Sequence, residues 1–559
     1  MKKNYLIGIG GTGARVIESA VYLCAAGYGP DNLTVFLIDP DSGNGNLDRT
    51  KTVIKRYQEC RKKLGGFCDP RSGKIFKTDI KIPGTKKEDE QLVWGIFTAD
   101  AKDGDATKLN NMLGYNIMKD QAPGLSQVVD LLFTKEELDS QLTEGFRGHP
   151  SIGALTMSSA INEDKVFDKE PWKTFMKDVE MMTNANDIGV FLVGSIFGGT
   201  GAAGVPTFAH KSILKENPKA KIGELSKIAL GGALVLPYFS YDKDPANEKK
   251  EKDAGKIFAK VEEFALATKA ALSFYNEKEL GFDQVYFIGD SSAYSVGGFA
   301  TGKGEQKNNA HYIEIVTALS SFDFFSQPVT TKDKIQKKHF IASRKDDSIS
   351  WDSFPVGRTS DDLTKQGDLK KSLISMTILS YSFLSYLTWC LKNEKDTEVQ
   401  NAAWYNTLFR KFKNTDKDIF GAGNQENIKN NFVPFFKNYL YWLDSISSLH
   451  ESGAAGSSEK IRLLKNNFLP TESPDNEDAP LPFEGFQASI IGNLVKERSQ
   501  DMTMQDYIHK YINPTSQSLP DKDKKEAIEK VVELFCTASL RFCEDNHSVK
   551  KDDNNGKKN

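Results

Sequence analysis

The chain has 559 residues and carries 73 Lys and Arg against 76 Asp and Glu, so its formal net charge is −3. Hydrophobic residues make up 39% and charged residues 27%, which is typical of globular proteins and excludes collagen, coiled coil or disorder as a description of the whole chain. The length predicts two to four domains. A net charge so close to zero argues against a protein that binds nucleic acid through its overall charge, so no nucleic-acid partner is expected.

The N-terminal segments alternate between strands and a helix. Residues 4–9 predict a buried strand, and residues 14–25 have the apolar spacing of a helix. Residues 35–38 predict a second strand that ends at Asp39. This order is the βαβ signature of a parallel α/β sheet. Residues 43–125 are rich in Gly, Lys and Asp, and we interpret them as an insertion with local helices.

Further elements continue this pattern up to residue 330, where we expect the first domain to end. Apolar runs predict three more strands, at residues 188–194, 228–236 and 284–288. Helical spacing predicts an amphipathic helix at residues 256–274 and a long apolar core helix at residues 309–325.

The second half of the chain predicts a second domain of α+β type, largely helical, at residues 331–547, through which other proteins would bind. Residues 372–391 hold no charged side chain over 20 positions, about the length of a membrane span. Their five Ser and two Thr dilute the hydrophobicity, and the apolar residues fit a buried core helix, so no span is expected. The tail at 548–559 predicts disorder. Six cysteines without a C-x-x-C pair favour reduced thiols and a cytoplasmic location.

A glycine loop follows the first predicted strand. Residues 8–13 match the pattern G-x-G-x-x-G between a strand and a helix, where backbone amides approach a diphosphate at the helix N-terminus. Dinucleotide-binding domains share this pattern, and Asp39 would be their ribose-binding acid. This loop alone therefore leaves open a dehydrogenase and a plain strand-to-helix turn.

A second glycine loop follows the strand at residues 188–194. It contains Gly198, Gly199, Thr200 and Gly201, whose amides and hydroxyl form a concavity suited to phosphate. Two such loops at one edge of a sheet would hold a triphosphate from both sides, and the alternative is a packing turn without a ligand. Neither loop contains the Gly-Lys-Ser/Thr of a Walker motif.

The order of these segments resembles the tubulin/FtsZ superfamily of GTPases over roughly residues 1–330. Residues 10–13 (GGTG) resemble its first phosphate loop, and residues 198–201 (GGTG) resemble its signature loop, with Pro206 at the position of an FtsZ proline. Residues 148–154 (GHPSIGA) stand at the place of its γ-phosphate-sensing loop. The resemblance is closer to divergent bacterial tubulin-like proteins than to tubulin or FtsZ.

The resemblance implies an α/β fold with a tubulin/FtsZ-like parallel-sheet nucleotide-binding domain, a long core helix and the second, largely helical domain. It implies that the chain binds GTP or GDP together with Mg²⁺. Asp290 and Asn309 would contact the guanine base, and no protein ligand is assigned to the metal. The implied nucleotide-binding residues are Gly10, Gly11, Thr12, Gly13, Asp39, Ser151, Gly153, Ala154, Gly198, Gly199, Thr200, Gly201, Asp290 and Asn309.

The resemblance also implies head-to-tail self-assembly into an oligomer or filament, with the nucleotide between subunits. An acid of the neighbouring subunit would then act in hydrolysis, and the candidates are Asp346, Asp347 and Asp352.

Departures from the family pattern keep alternatives open. Phe197 and Ala203 each replace a glycine of the signature loop, and no clear Asn-x-Asp-x-x-Asp pattern follows the long helix. Without that acid, the chain would be a non-hydrolysing nucleotide-binding scaffold of a multi-protein bacterial system, such as phage defence. His149 would either contact the γ-phosphate or only pack the turn.

Overall fold

The computed structural model describes most of the chain. The described residues are 2–41, 43–68, 74–84, 90–96, 107–146, 148–162, 166–240, 261–278, 280–290, 294–296, 304, 306–327, 338–341, 349–353, 360–449, 461–464, 502–520 and 524–547. The predicted tail at 548–559 and the candidate acids Asp346 and Asp347 lie outside the described residues.

Most of the strands form one central sheet. The strands in chain order are β1 Lys3–Ile9, β2 Asn32–Ile38, β3 Asp79–Lys81, β4 Val93–Trp94, β5 Ile188–Ser195, β6 Lys221–Ile222, β7 Leu225–Ser226, β8 Ile228–Val235, β9 Phe239–Ser240, β10 Gln284–Ile288, β11 Tyr294–Ser295, β12 Lys338–Ile341, β13 Ile349–Ser350 and β14 Ile461–Arg462. The central sheet has the order β12-β10-β8-β5-β1-β2-β3, and β4 pairs with the end of β2. Every pairing in it is parallel, as predicted.

Helices cover both faces of this sheet. Up to residue 327 they are α1 Gly10–Ala25, α2 Gly45–Lys63, α3 Leu109–Met112, α4 Tyr115–Gln121, α5 Pro123–Leu132, α6 Lys135–Leu138, α7 Pro150–Asn162, α8 Trp172–Met181, α9 Thr200–Ala209, α10 Phe264–Glu277 and α11 Tyr312–Ser326. Side chains of β1 alternate between the two layers: Leu6 belongs to the cluster with α1 and α11, whereas Tyr5 and Ile7 belong to the cluster with α8 and α9. The result is an α/β fold of the Rossmann-like type that binds nucleotides in many proteins.

The segment predicted as an insertion begins with a core helix. Within residues 43–125, α2 runs for 19 residues and packs on α1, while β3 and β4 join the sheet beside β2. The sequence did not mark α2 as a core helix because α2 is strongly charged overall. Its buried side chains, such as Val53, Ile54 and Tyr57, keep helical spacing among many Lys and Arg residues.

The long core helix begins later than predicted. The prediction placed it at residues 309–325, but α11 begins at Tyr312 and ends at Ser326. His311 is its N-cap, and the imidazole Nδ1 accepts a hydrogen bond from the Ile313 amide. Residues 306–311 have no regular secondary structure and precede the helix, which places Asn309 outside it.

The second half of the chain is largely helical in its described residues. Its helices are α12 Ser360–Ser382, α13 Thr388–Lys392, α14 Thr397–Asn401, α15 Ala403–Leu408, α16 Ala422–Asn427, α17 Val433–Ser447, α18 Met504–Tyr507, α19 Asn513–Ser518 and α20 Ala527–His547, and we call them the C-terminal helical layer. The segment Leu369–Lys392 is long and apolar enough to cross a membrane, but 94% of its apolar window is buried inside the protein. The predicted buried helix is confirmed.

Aromatic side chains join the C-terminal helical layer to the sheet domain. Tyr22 of α1 lies with its ring centroid 4.9 Å from that of Trp442, and 5.6 Å and 5.7 Å from those of Tyr439 and Phe435 on α17. We call these four side chains the aromatic seam. Buried side chains on both sides of residue 330 belong to one continuous cluster, and the division into two domains there stays a prediction.

Candidate functional site

The residues that follow the parallel strands meet at one edge of the sheet. Gly10 follows β1, Asp39 follows β2, the second glycine loop follows β5, Tyr238 follows β8, and Asp290 follows β10. In parallel sheets the carboxyl ends of the strands form the usual crevice for ligands. Most of the predicted site residues therefore share one edge.

The two glycine loops touch each other at this edge. Gly10 has a φ of +74°, and a Cβ there would lie 3.3 Å from Cβ of Thr200 and 3.5 Å from the Gly201 amide nitrogen. A Cβ at Gly201 would lie 2.3 Å from the Ser195 carbonyl oxygen, so the turn out of β5 requires glycine. The sequence prediction that both loops come together is confirmed by these distances.

Each glycine loop leads directly into a helix N-terminus. The N-cap residues of α1 and α9 are Ile9 and Gly199, and neither has a side chain that accepts a hydrogen bond from the first turn. Asn44, Thr134 and His311 cap the N-termini of α2, α6 and α11, whereas α5, α8 and α10 also lack a side-chain cap. Free amides at two adjacent helix N-termini attract an anion such as phosphate.

The glycine loops are accessible from solvent at their tips. Gly11, Gly198 and Thr200 are partly exposed, whereas Gly10, Gly13 and Gly201 are buried below them. Phe197 is buried, and its ring centroid lies 4.6 Å from that of Phe264. Its side chain therefore fills the core beneath the loop.

The third predicted loop adjoins the second. A Cβ at Gly199 would lie 2.9 Å from the Gly148 amide nitrogen, and one at Gly153 would lie 2.6 Å from Cβ of Ala203. Ser151 is exposed and Ala154 is half-buried, both in the first turns of α7. The second predicted loop is thus in contact with both the first and the third.

Asp39 is buried at the end of β2, beside the first glycine loop. Ile38 and Ile9 are neighbours across the sheet, and Asp39 follows Ile38. Its Oδ1 accepts a hydrogen bond from the Asp41 amide at 3.0 Å. Burial raises the pKa of Asp39 to about 8, against a smaller lowering by the Asp41 amide, so the carboxyl is largely protonated at neutral pH.

We expect Asp39→Asn to stabilise the nucleotide-free protein at high pH. A carboxyl whose pKa is higher in the folded than in the unfolded state supports folding at low pH, and it loses this contribution as the pH rises from about 3.8 to about 8. At pH 8.5 the free energy of unfolding of the variant should therefore exceed that of the parent by at least about 1 kcal/mol. This difference should decrease toward pH 5. Urea titrations across this range measure it, with exposed Asp120→Asn as the control. A gap that does not change with pH would contradict the expectation.

A buried polar network lies beneath the first glycine loop. Arg15 of α1 donates from Nε to Oε1 of Glu314 at 2.5 Å, and from Nη2 to the Tyr238 hydroxyl at 2.8 Å. The Tyr238 hydroxyl in turn donates to Oε1 of Glu314 at 2.9 Å. Burial lowers the pKa of Arg15, but Tyr238 and Glu314 outweigh burial and raise it above its ordinary value. The network ties α1 to the start of α11.

Two asparagines connect this network to α2. The Asn46 side-chain amide donates to Oδ1 of Asn308 at 3.1 Å, and Oδ1 of Asn46 accepts from the Asn308 amide at 2.9 Å. Arg15 Nη1 donates to the same Asn308 oxygen at 3.3 Å. A Cβ at Gly11 would lie 3.5 Å from Nδ2 of Asn46, so this network reaches the accessible part of the first loop.

The two residues proposed to read guanine have different surroundings. Asn309 is exposed and its amide donates to the Val296 carbonyl oxygen at 3.1 Å, whereas the preceding Asn308 is buried. Asp290 accepts a hydrogen bond from the Tyr312 hydroxyl. Sequence reasoning missed Arg15, Asn46 and Glu314, because their partners are hundreds of residues away along the chain.

Of the acids expected to act on a neighbouring subunit, only Asp352 falls within the described backbone. It lies in a short turn, Trp351–Ser353, next to β13. This turn is anchored by Trp351, which is buried and donates from its indole Nε1 to the Leu463 carbonyl oxygen at 2.9 Å.

Among the described residues, no group of three or more His, Cys, Asp and Glu side chains is placed to hold a metal ion. Comparison with known proteins gives no further identification, since no protein-family profile matches the chain and no curated protein matches it significantly.

Proposed function

We propose that the chain is a tubulin/FtsZ-like protein that binds GTP at the carboxyl edge of its parallel sheet. One observation carries this proposal: the first glycine loop and the second touch at Gly10 and Thr200, and each opens an uncapped helix. Two adjacent anion-binding helix N-termini suit a polyphosphate better than a single phosphate group.

The phosphates would be bound mainly by backbone groups. Amides of residues 10–13 and 198–201 would donate to phosphate oxygens, in place of a Walker lysine. Mg²⁺ would neutralise further phosphate charge, and its positive charge would favour ionisation of the Asp39 carboxyl beside the first loop, which would hold the ion directly or through water. The choice of guanine rests on the resemblance at Asp290 and Asn309.

The order of the sheet agrees with this proposal. Strand β1 lies inside the sheet between β2 and β5, so the loops after β1 and β5 are neighbours although about 190 residues separate them. A dinucleotide-dependent oxidoreductase has less support, because its single diphosphate needs only the first loop. With GTP at this exposed edge, a second subunit would cover it head to tail, and an acid among residues 346–352 would assist hydrolysis.

Nucleotide binding and assembly can be tested together. Calorimetry of the full chain with Mg²⁺ should show GTP and GDP binding, with weaker binding of ATP and of NAD. Pelleting with a non-hydrolysable GTP analogue, and turnover that rises steeply with protein concentration, are expected from a site shared by subunits. Binding of NAD without GTP would overturn the proposal, whereas GTP binding with no pellet and no turnover would favour the non-hydrolysing scaffold.

We expect Gly198→Val to weaken GTP binding at least about 10-fold while the fold survives, because a branched side chain would cover the amides at the loop tip. A Cβ at this position would meet only Oγ of Ser195, at 3.3 Å, so a shift of that hydroxyl by a few tenths of an ångström accommodates it. The matched control is Gly124→Val on α5, where a Cβ would meet no atom within 4 Å. Equal GTP affinity of the two variants, measured by calorimetry, would show that this loop is not the phosphate site.

A further inference from the structure

A histidine and a glutamate form a pair within hydrogen-bonding distance beside the phosphate edge. Nδ1 of His149 lies 2.7 Å from Oε1 of Glu137. The histidine follows Gly148, the residue that abuts Gly199 at the N-cap of α9. The pair therefore stands next to the helix N-terminus that we propose for phosphate.

The glutamate is held in place by its own helix. Oε2 of Glu137 accepts a hydrogen bond from the Thr134 amide at 2.8 Å, and its backbone amide donates to Oγ1 of Thr134 at 3.2 Å. This capping box fixes the carboxylate while Oε1 is directed to the histidine. The Glu137 side chain is 13% exposed and that of His149 is 31% exposed, so the imidazole is the member of the pair that reaches solvent.

The arrangement selects one tautomer of the imidazole. A carboxylate at Nδ1 keeps the proton on Nδ1, which leaves the lone pair of Nε2 available as a proton acceptor. A carboxylate that orients a histidine in this way is the usual support for a general base.

We propose that His149 is a catalytic base for GTP hydrolysis within its own subunit and that Glu137 is its positioning residue. This inference rests on the proposed function and adds a basal reaction that needs no neighbouring subunit. An acid from the neighbour would then accelerate a reaction that each subunit already performs slowly.

The reaction balances with water as the only co-reactant. The water oxygen forms a bond to the γ-phosphorus while the bond from that phosphorus to the β–γ bridging oxygen breaks, and the bridging oxygen takes the electron pair. His149 Nε2 accepts a proton from the water and later releases it to solvent. The products are GDP and inorganic phosphate.

The test measures single-turnover hydrolysis of GTP by dilute full chain, below the concentration at which it pellets. We expect His149→Gln to slow hydrolysis about 100-fold and Glu137→Gln about 10-fold, with GTP affinity within about 3-fold of the parent. Glu136→Gln, an exposed neighbour on the same helix, is the matched control and should keep the parent rate. The limb of the pH–rate profile that reports the base should vanish in His149→Gln, and added imidazole should restore part of the rate of His149→Ala.

The outcomes separate this inference from the proposed function. If the parent binds no GTP, the proposed function fails, and this inference with it. If GTP binds and dilute parent hydrolyses it at a rate that His149→Gln leaves unchanged, only the inference fails. If dilute parent does not hydrolyse GTP at all and assembled protein does, the base lies in the neighbouring subunit and the inference also fails. Loss of the rate without any rescue by imidazole would assign His149 a structural role.

Discussion

Replacing Arg15 with Met should lower the free energy of unfolding by about 3–5 kcal/mol, because Glu314 would be left charged and buried without its partner. The side chains of Arg15 and Glu314 are only 3% and 0% exposed, so water cannot compensate the lost ion pair. Tyr238 would lose one of its two partners in the same network. Urea unfolding followed by tryptophan fluorescence measures this loss.

A double substitution distinguishes the effect of an unpaired buried charge on Glu314 from the effect of lost packing. Arg15→Met combined with Glu314→Leu removes both charges, and it should recover most of the lost stability, since apolar pairs often replace buried ion pairs without cost. The matched control is Lys51→Met, which breaks the exposed pair with Asp48 at 3.1 Å and should cost less than about 1 kcal/mol. If Arg15→Met cost no more than this control, the network would not stabilise the fold.

The second large effect is expected in the aromatic seam. Tyr22→Ala should destabilise the protein by about 3–5 kcal/mol, because it opens a cavity between α1 and α17 where Phe435, Tyr439 and Trp442 converge. The same substitution should also weaken the packing of the C-terminal helical layer, because α1 contacts that layer directly through Tyr22. Thermal unfolding and limited proteolysis of the full chain measure the two effects.

Two controls identify packing as the cause. Tyr22→Phe keeps the ring and should stay within about 1 kcal/mol of the parent. Phe274→Ala removes a ring that is 45% exposed on α10 and should also cost little. A Tyr22→Phe variant as unstable as Tyr22→Ala would mean that the hydroxyl, and not the ring, is the important group.

The local signals in the sequence predicted much of the sheet domain. Apolar runs located β1, β5 and β8, because buried parallel strands need an apolar side chain on both faces; glycine loops follow the first two runs and Pro237 follows the third. Thr134 and Glu137 also have the three-residue spacing of a capping box, and both of its hydrogen bonds are present at the start of α6. Such features depend only on residues close together in the chain.

The missed features depend on distant residues. Arg15 and Glu314 are 299 positions apart, and no local pattern marks either as a partner of the other. The edge strands β3 and β4 are only three and two residues long, too short for a periodic signal. The start of α11 was misplaced because its cap is His311, a residue type that is not among the common N-caps.

The central position of β1 has a consequence for synthesis. Its partner β2 leaves the ribosome soon after it, but its other partner, β5, begins about 180 residues later. At the usual speed of translation, roughly 10 to 40 s pass before β5 is synthesised and can pair with the second edge of β1. During that interval an apolar strand and its unpaired backbone are exposed on the nascent chain, which is the kind of surface that chaperones bind and that aggregates when they are absent.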